Sequence, residues 1–188
     1  MGRWEPGAGS RLREAALNLY LERGFDQTMV NDIAERAGVT ARTFFRHFAD
    51  KREVLFDAAA ELEEKSLAAL EEAPATASAL ELVAAALDAV ADTIGHDREL
   101  ALMRHTVIMA NADLRERELI KLAQMTAALA DGLRRRGIGD AEADLAAEIG
   151  SAVYRVAFRR WVDAAGDLEL REAIDQSFAQ LRTLTAAD

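Results

Sequence analysis

The stretch Asp32-Ile33-Ala34-Glu35-Arg36-Ala37-Gly38-Val39-Thr40-Ala41-Arg42-Thr43-Phe44-Phe45-Arg46-His47-Phe48 decides how this chain is read. Thr28 fits an N-cap before a short helix, Met29 to Ala37, with Asp32 favourable in the early turns and Gly38 as the stop. Thr40 caps a second helix, Ala41 to Phe48. Between them, Ala37, Gly38 and Val39 supply what a tight turn needs: a small residue, a glycine free to take positive φ and an apolar plug. The pair reads as a helix-turn-helix, whose second helix enters the DNA major groove. Phe44 and Phe48 lie one turn apart on its inner face, while Arg42 and Arg46 fall roughly 160° and 200° away from Phe44, with Thr43 beside them. A guanidinium can bond both O6 and N7 of guanine, so arginine on that outer face means more than generic charge.

Working outward, Leu12, Ala16, Leu19 and Tyr20 make one face of a helix from about Ser10. Gly24 ends it, and Phe25 is expected to fold back onto the last turn in a Schellman-type contact. Downstream, a fourth helix is expected from near Asp50 to about Glu72, with Leu55, Ala58, Ala59, Leu62, Ala69 and Leu70 inward and Ala73-Pro74 ending it. Leu80, Val83, Ala84, Leu87, Val90, Ala91 and Ile94 form a fifth stripe closed by Gly95, and Asp97 is placed to cap a sixth helix. Leu119, Leu122, Thr126, Leu129 and Leu133 mark a seventh, from about Asp113, which ends in Arg134-Arg135-Arg136-Gly137: cations on the negative helix end, then a C′ glycine. The last two helices fall at about 141–165 and 168–184. No segment alternates with period two, so the fold class is all-α.

The residues Gly24-Phe25-Asp26-Gln27-Thr28, then Asp32 to Thr40, then Thr43 to Leu55 with its His-Phe-x-x-Lys ending, resemble the DNA-binding domain of the TetR family of transcriptional regulators. The resemblance covers about residues 10–57; beyond it, helix count and lengths agree with that family's nine-helix plan. It implies a flexible arm over 1–9, a helix-turn-helix domain over 10–57 and a helical ligand-binding and dimerisation domain over 58–188. It also implies base contacts from Arg42, Thr43 and Phe45, with Arg46 on the same face, and phosphate anchors at Thr40, His47 and Lys51, with Asn31 able to reach a base or phosphate. Position 45 is commonly Tyr in the family; Phe45 loses a hydroxyl contact to phosphate, so its role is apolar, for instance against a thymine methyl. Arg3 and Trp4 are candidates for a minor-groove arm, against a plain disordered terminus.

Charge first argues the other way. The 188 residues carry a formal charge of −10, which repels phosphate at long range. Up to Phe56, however, 9 basic residues face 8 acidic ones, a net of +1 that leaves −11 on the remainder. There is no cysteine, which excludes disulfides, thiol nucleophiles and zinc thiolate sites. With no long apolar run and no secretory leader pattern, a cytoplasmic protein without a membrane role is expected. His47, His96 and His105 form no metal-binding helical pair, and neither a Gly-rich phosphate loop nor a Gly-x-Ser-x-Gly elbow occurs. No enzyme, cofactor or metal is therefore expected.

Helix eight is apolar on two sides, with Leu145, Ile149, Ala152, Val153 and Val156 on one and Tyr154, Phe158, Trp161 and Val162 on the other. One side can face its own domain and the other a second chain. The expected homodimer interface takes Tyr154, Phe158 and Trp161 with Ile174, Phe178 and Leu181 of helix nine, while the choice of face on helix eight stays open. Helix six is also two-sided, and Leu102, His105, Thr106 and Met109, with Arg104 for a carboxylate, are the candidates for a small apolar ligand's pocket; a plain core face with a satisfied histidine is the competing reading. The expectation is a homodimeric repressor released from a palindromic DNA operator by an unidentified hydrophobic ligand. The alternative is a helical ligand-binding or scaffold protein whose helix-turn-helix is degenerate.

Overall fold

The computed structural model of the chain describes residues 7–186, so Arg3 and Trp4 lie outside the described residues. Among those described there are nine α-helices, one 3-10 turn and no strand. The helices are α1 (Ala8–Arg23), α2 (Val30–Arg36), α3 (Ala41–His47), α4 (Ala59–Glu72), α5 (Ala79–Ile94), α6 (Arg98–Ala110), α7 (Ala112–Arg135), α8 (Asp140–Asp163) and α9 (Leu170–Thr185). They fall into two compact units: the chain up to Ala59 with Glu99–Glu118, and Ala60–Arg98 with Leu119 onward.

In the first unit Leu12, Leu17, Leu19, Tyr20, Ile33, Phe44, Phe48 and Phe56 bury almost completely. Val107 and Ile108 of α6 and Leu114 of α7 join the same core. The α2–α3 turn is a Schellman motif: Val39 N–H donates to Ala34 C=O at 2.9 Å and Gly38 N–H to Glu35 C=O at 3.0 Å, with Gly38 at φ +67°. Arg11 of α1 ties down the same turn through Nε to the Ala37 carbonyl, 3.2 Å. The end of α7 repeats the motif at Gly137, where Ile138 N–H reaches Leu133 C=O and Gly137 N–H reaches Arg134 C=O.

Three local expectations are corrected. Gly24 has positive φ, but its ψ of 153° is not helical; only its N–H to Tyr20 C=O closes α1, so no Schellman motif forms there, although Phe25 does pack edge-on against Tyr20 with ring centroids 5.1 Å apart. Thr28 does not cap α2: its buried hydroxyl turns back to the carbonyls of Gly24 (2.9 Å) and Leu19 (3.3 Å), Met29 becomes the cap residue, and Asp32 accepts from the Met29 N–H. The helix expected from Asp50 is broken. Asp50 does cap, accepting from the N–H groups of Arg52 (2.7 Å) and Glu53 (3.1 Å), but only a 3-10 turn follows, Glu53–Leu55, before α4 starts at Ala59. The break seats Val54, Leu55 and Phe56 in the first core and lets Asp57 bind the Arg13 guanidinium.

The second unit is built on small residues. Ala79, Ala86, Ala91, Ala143, Ala146, Ala147, Ala157 and Ala173 are buried, and Gly150 of α8 sits so close to α5 that a Cβ there would meet Val83 Cγ1 at 2.4 Å. Trp161, Val162, Leu170, Ile174 and Phe178 complete this core. α5 opens with a capping box, in which Ser78 Oγ accepts from Glu81 N–H and the Glu81 carboxylate accepts from Ser78 N–H at 2.7 Å. Arg98 bonds the carbonyls of Val162, Ala164 and Gly166 at the C-terminal end of α8 and just beyond it, and Arg136 bonds those of Leu70, Glu71, Ala73 and Pro74 at the C-terminal end of α4 and just beyond it. Among the described residues no helix is long and apolar enough to cross a membrane.

Candidate nucleic-acid interface

The second helix of the motif, α3, is set by one buried residue and one cap. Phe44 is fully buried, with its ring centroid 5.5 Å from that of Phe48. Thr40 Oγ1 accepts from Thr43 N–H at 3.2 Å and lies 3.1 Å from the Thr43 hydroxyl, so cap and candidate base contact are linked. With Phe44 inward, Arg42, Phe45, Arg46 and His47 are exposed and Thr43 is half-buried. Phe45 leaves 58% of its surface to solvent, supported on one side by an edge contact to Phe44. Asn31 is exposed on α2, and His47 lies against Gly9 at the start of α1.

Which cations remain available is decided by pairing. Arg36 is bidentate to Glu22 at 3.0 and 2.9 Å, Arg23 sits 3.7 Å from Asp32, Arg52 binds Asp50 at 2.9 Å, and Arg13 binds Asp57. The Arg36 hydrogen bond holds the Glu22 carboxyl below its ordinary range. At Asp50 partial burial pulls upward, but hydrogen bonds from Arg52 and from the N–H groups of Glu53 and Arg52 outweigh it and keep the carboxyl low. Arg11 is engaged at the Ala37 carbonyl. Among the described residues up to Phe56, the cations with neither an ion pair nor a hydrogen-bond partner are Arg42 and Arg46, both on the outer face of α3. These two guanidiniums thus stand where the motif would meet a duplex.

Lys51, expected as a phosphate anchor, is placed differently. Its ammonium donates to the carbonyls of Phe25 (2.8 Å), Thr28 (3.0 Å) and Asp26 (3.2 Å) and lies 4.5 Å from the Phe25 ring centroid. Its own carbonyl accepts from the Tyr20 hydroxyl at 2.6 Å, and burial, with Asp50 nearby, pushes the phenol well above its usual range.

Residues 12–62 match the family described as bacterial regulatory proteins, tetR family. Over 191 aligned residues the chain is 35% identical to the HTH-type transcriptional regulator TcmR of Streptomyces glaucescens, covering 95% of this chain and 84% of that protein. The chain belongs to the TetR family. It is therefore a DNA-binding transcriptional regulator, and α2–α3 is its helix-turn-helix. Solved TetR-like structures share the fold: the fatty acid degradation regulator FadR of Bacillus halodurans superposes with a TM-score of 0.65 at 16% identity, covering 95% of this chain and 96% of that one. FadR of Thermus thermophilus, a TetR family repressor solved in complex with lauroyl-CoA, gives 0.52 at 22% identity and 96% coverage of both.

The other expected sites are dispersed. On α6, Leu102, Thr106 and Met109 are exposed, with Leu102 at 40% and Met109 at 41%, and His105 is half-buried. Thr106 turns its hydroxyl back to the Leu102 carbonyl at 2.8 Å. Arg104 is not free to hold a carboxylate: Nε bonds the Leu55 carbonyl at 2.5 Å, both terminal nitrogens bind Glu118, and the guanidinium stacks on Phe56. A cavity of about 460 Å³ in the first unit is lined by Tyr20, Gly24, Phe25, Thr106, Val107 and Asn111 among others, and of the ligand candidates takes in only Thr106.

The expected interface residues split as well. Trp161 (1% exposed), Ile174 and Phe178 belong to the core of their own unit, which leaves them little surface, whereas Tyr154, Phe158 and Leu181 are half-buried. The large apolar residue left outside on α8 is Leu145, 63% exposed, followed on the same face by half-buried Ile149, exposed Ala152 and half-buried Val156. Periodicity found two apolar sides on α8. The small residues Ala146, Ala147, Gly150 and Ala157 were the missed signal for which side packs against α5 and α9, since only small side chains allow that approach.

Proposed function

We propose that the chain is a homodimeric repressor that reads a palindromic operator with one α3 per subunit and leaves it when a small apolar ligand binds the helices after residue 58. The observation that carries the operator half is the pairing pattern: Arg42 and Arg46 stand without partners on the outer face of α3 while neighbouring cations are neutralised or engaged. Arg42 and Arg46 take guanine edges, Thr43 a base or the sugar-phosphate edge, and Phe45 a thymine methyl. Thr40, His47 and Asn31 hold the backbone in register without reading sequence. Two such helices must lie about 34–36 Å apart, or a multiple of that, to enter successive major grooves. A ligand that favours another spacing then shifts the population off DNA by its differential affinity.

The dimer is assigned to the α8 stripe Leu145, Ile149, Ala152 and Val156. Charge supports a second copy as its occupant. The first half of α8 carries Glu142 and Glu148, the second half Arg155, Arg159 and Arg160, so two α8 helices crossing antiparallel about a two-fold axis set opposite charges against each other. The ligand reading rests on the exposed Leu102 and Met109 of α6 and on the lauroyl-CoA bound by the Thermus relative.

Selection of bound sequences from random duplexes, then fluorescence anisotropy on the selected site at several salt concentrations, tests the operator half. A palindromic site bound far more tightly than random duplex is expected; no preference over random duplex overturns it. Thermal-shift screening with fatty acyl compounds of graded length tests the ligand half, in which a compound that raises the unfolding midpoint also lowers operator affinity.

A further inference from the structure

Lys51 has three N–H donors, and three carbonyls take them. Those carbonyls belong to Phe25, Asp26 and Thr28, in the turn that joins α1 to α2, 23 to 26 residues earlier in the chain. Their negative ends converge on one point, an arrangement that repels itself unless a compact cation occupies the centre. The same turn is fastened from other directions: the Thr28 hydroxyl closes on Gly24 and Leu19, Phe25 packs on Tyr20, and the Tyr20 hydroxyl closes on the Lys51 carbonyl. Immediately after the turn, Met29 caps α2, and α2 carries Asn31 and leads through the Gly38 turn into α3.

We propose that Lys51 governs operator binding as a positioning residue, its ammonium locking the α1–α2 turn and thereby the start of α2, and that it makes no phosphate contact of its own. A phosphate anchor has to turn at least one donor outward; here that requires abandoning a carbonyl in the turn that orients the motif. The proposal rests on the reading that this unit binds DNA, and the free-protein arm of the first experiment tests the lock without DNA.

The chain has three lysines, Lys51, Lys65 and Lys121, so acylation of the full-length protein with an N-hydroxysuccinimide ester can be followed at each by mass spectrometry. Lys65, with 49% of its side chain exposed, is the internal reference. Lys51 is expected to react at least about tenfold more slowly than Lys65 in the free protein, and adding the selected operator duplex leaves its rate unchanged. A Lys51 as reactive as Lys65 when free, and protected on adding duplex, overturns the proposal in favour of a phosphate contact. Salt dependence gives the second readout. Lys51→Met is expected to lose at least about tenfold in operator affinity with the wild-type slope of log K against log salt, because no counterion release is lost; a slope smaller by about 0.9 overturns the proposal. Lys51→Arg separates the roles again: a planar guanidinium keeps a phosphate contact but replaces a compact three-donor centre poorly, so recovery of full wild-type affinity by arginine counts against the lock. A wild-type protein that prefers no duplex while Lys51 stays unreactive refutes the operator reading and leaves the lock standing.

Discussion

The two units of the chain solve the same packing problem with opposite materials. The first fills its interior with large side chains, Tyr20, Phe44, Phe48 and Phe56 among leucines; in both units cations fasten loops through backbone carbonyls, Arg11, Lys51 and Arg104 in the first and Arg98 and Arg136 in the second. The second brings helices together on alanine and glycine and leaves a stripe of larger apolar residues outside on α8. A surface that must meet a duplex in one orientation benefits from rigid supports that fix side-chain direction. A unit that must accept a partner subunit benefits from an apolar face that its own core does not consume.

The sharpest way to break this contrast is to empty the first core. Phe44→Ala is expected to cost about 3–5 kcal/mol, the usual range for a fully buried Phe, and to abolish operator binding. Urea unfolding measures it, and a loss below about 1 kcal/mol would show that α3 is not held by this ring. The matching change in the second unit adds volume. Gly150→Ala drives a methyl into Val83 Cγ1 and is expected to cost about 1–3 kcal/mol while leaving the paired contacts of Arg11 and Lys51 untouched. Indifference of the unfolding midpoint to this change would mean that α5 and α8 can separate freely.

Two further changes act on function with the fold intact. Ile149→Glu is expected to give monomers by light scattering at concentrations where the wild type is dimeric, with helicity unchanged; persistence of the dimer would move the interface off the α8 stripe. Arg42→Ala is expected to remove about 1–3 kcal/mol of discrimination between the selected operator and its base-substituted variants, with the unfolding midpoint unmoved. Equal weakening on specific and random duplex would reduce Arg42 to a phosphate contact.

The smallest effect is in the acid range, where the units respond with opposite sign. The Asp50 carboxyl is held low, so its contribution is complete above the ordinary aspartate value, about 3.9, and is lost as pH falls through the folded value. Burial raises Asp88 in the second unit, with Asp175 and Asp92 adding to the shift against Arg171, so its contribution is complete below the ordinary value and is lost as pH rises through the folded one. Urea midpoints between pH 3 and 5 are expected to fall less steeply with acid in Asp50→Asn and more steeply in Asp88→Asn. Slopes identical to wild type in both would remove these two groups from the acid response.

What the sequence by itself determined is the local chemistry. Thr40 as cap, Gly38 as turn, Phe44 inward and Arg42 outward follow from interactions within four or five residues, and such short-range rules carry over into any surrounding fold. The order and approximate lengths of nine helices were legible for the same reason. Tertiary structure decided everything that depends on a distant partner. Thr28 looked like a cap but turned to Leu19 and Gly24, and the helix expected from Asp50 broke so that Leu55 and Phe56 could enter a core shared with α1 and α6. Trp161, Ile174 and Phe178 were drawn inside by small residues opposite them, which put the free apolar face of α8 on the side of Leu145. Lys51 and Arg104 are engaged by carbonyls 23 to 49 residues away. A cation's sequence neighbours do not say which acceptor it will find, because that depends on which backbone groups the fold leaves unpaired nearby.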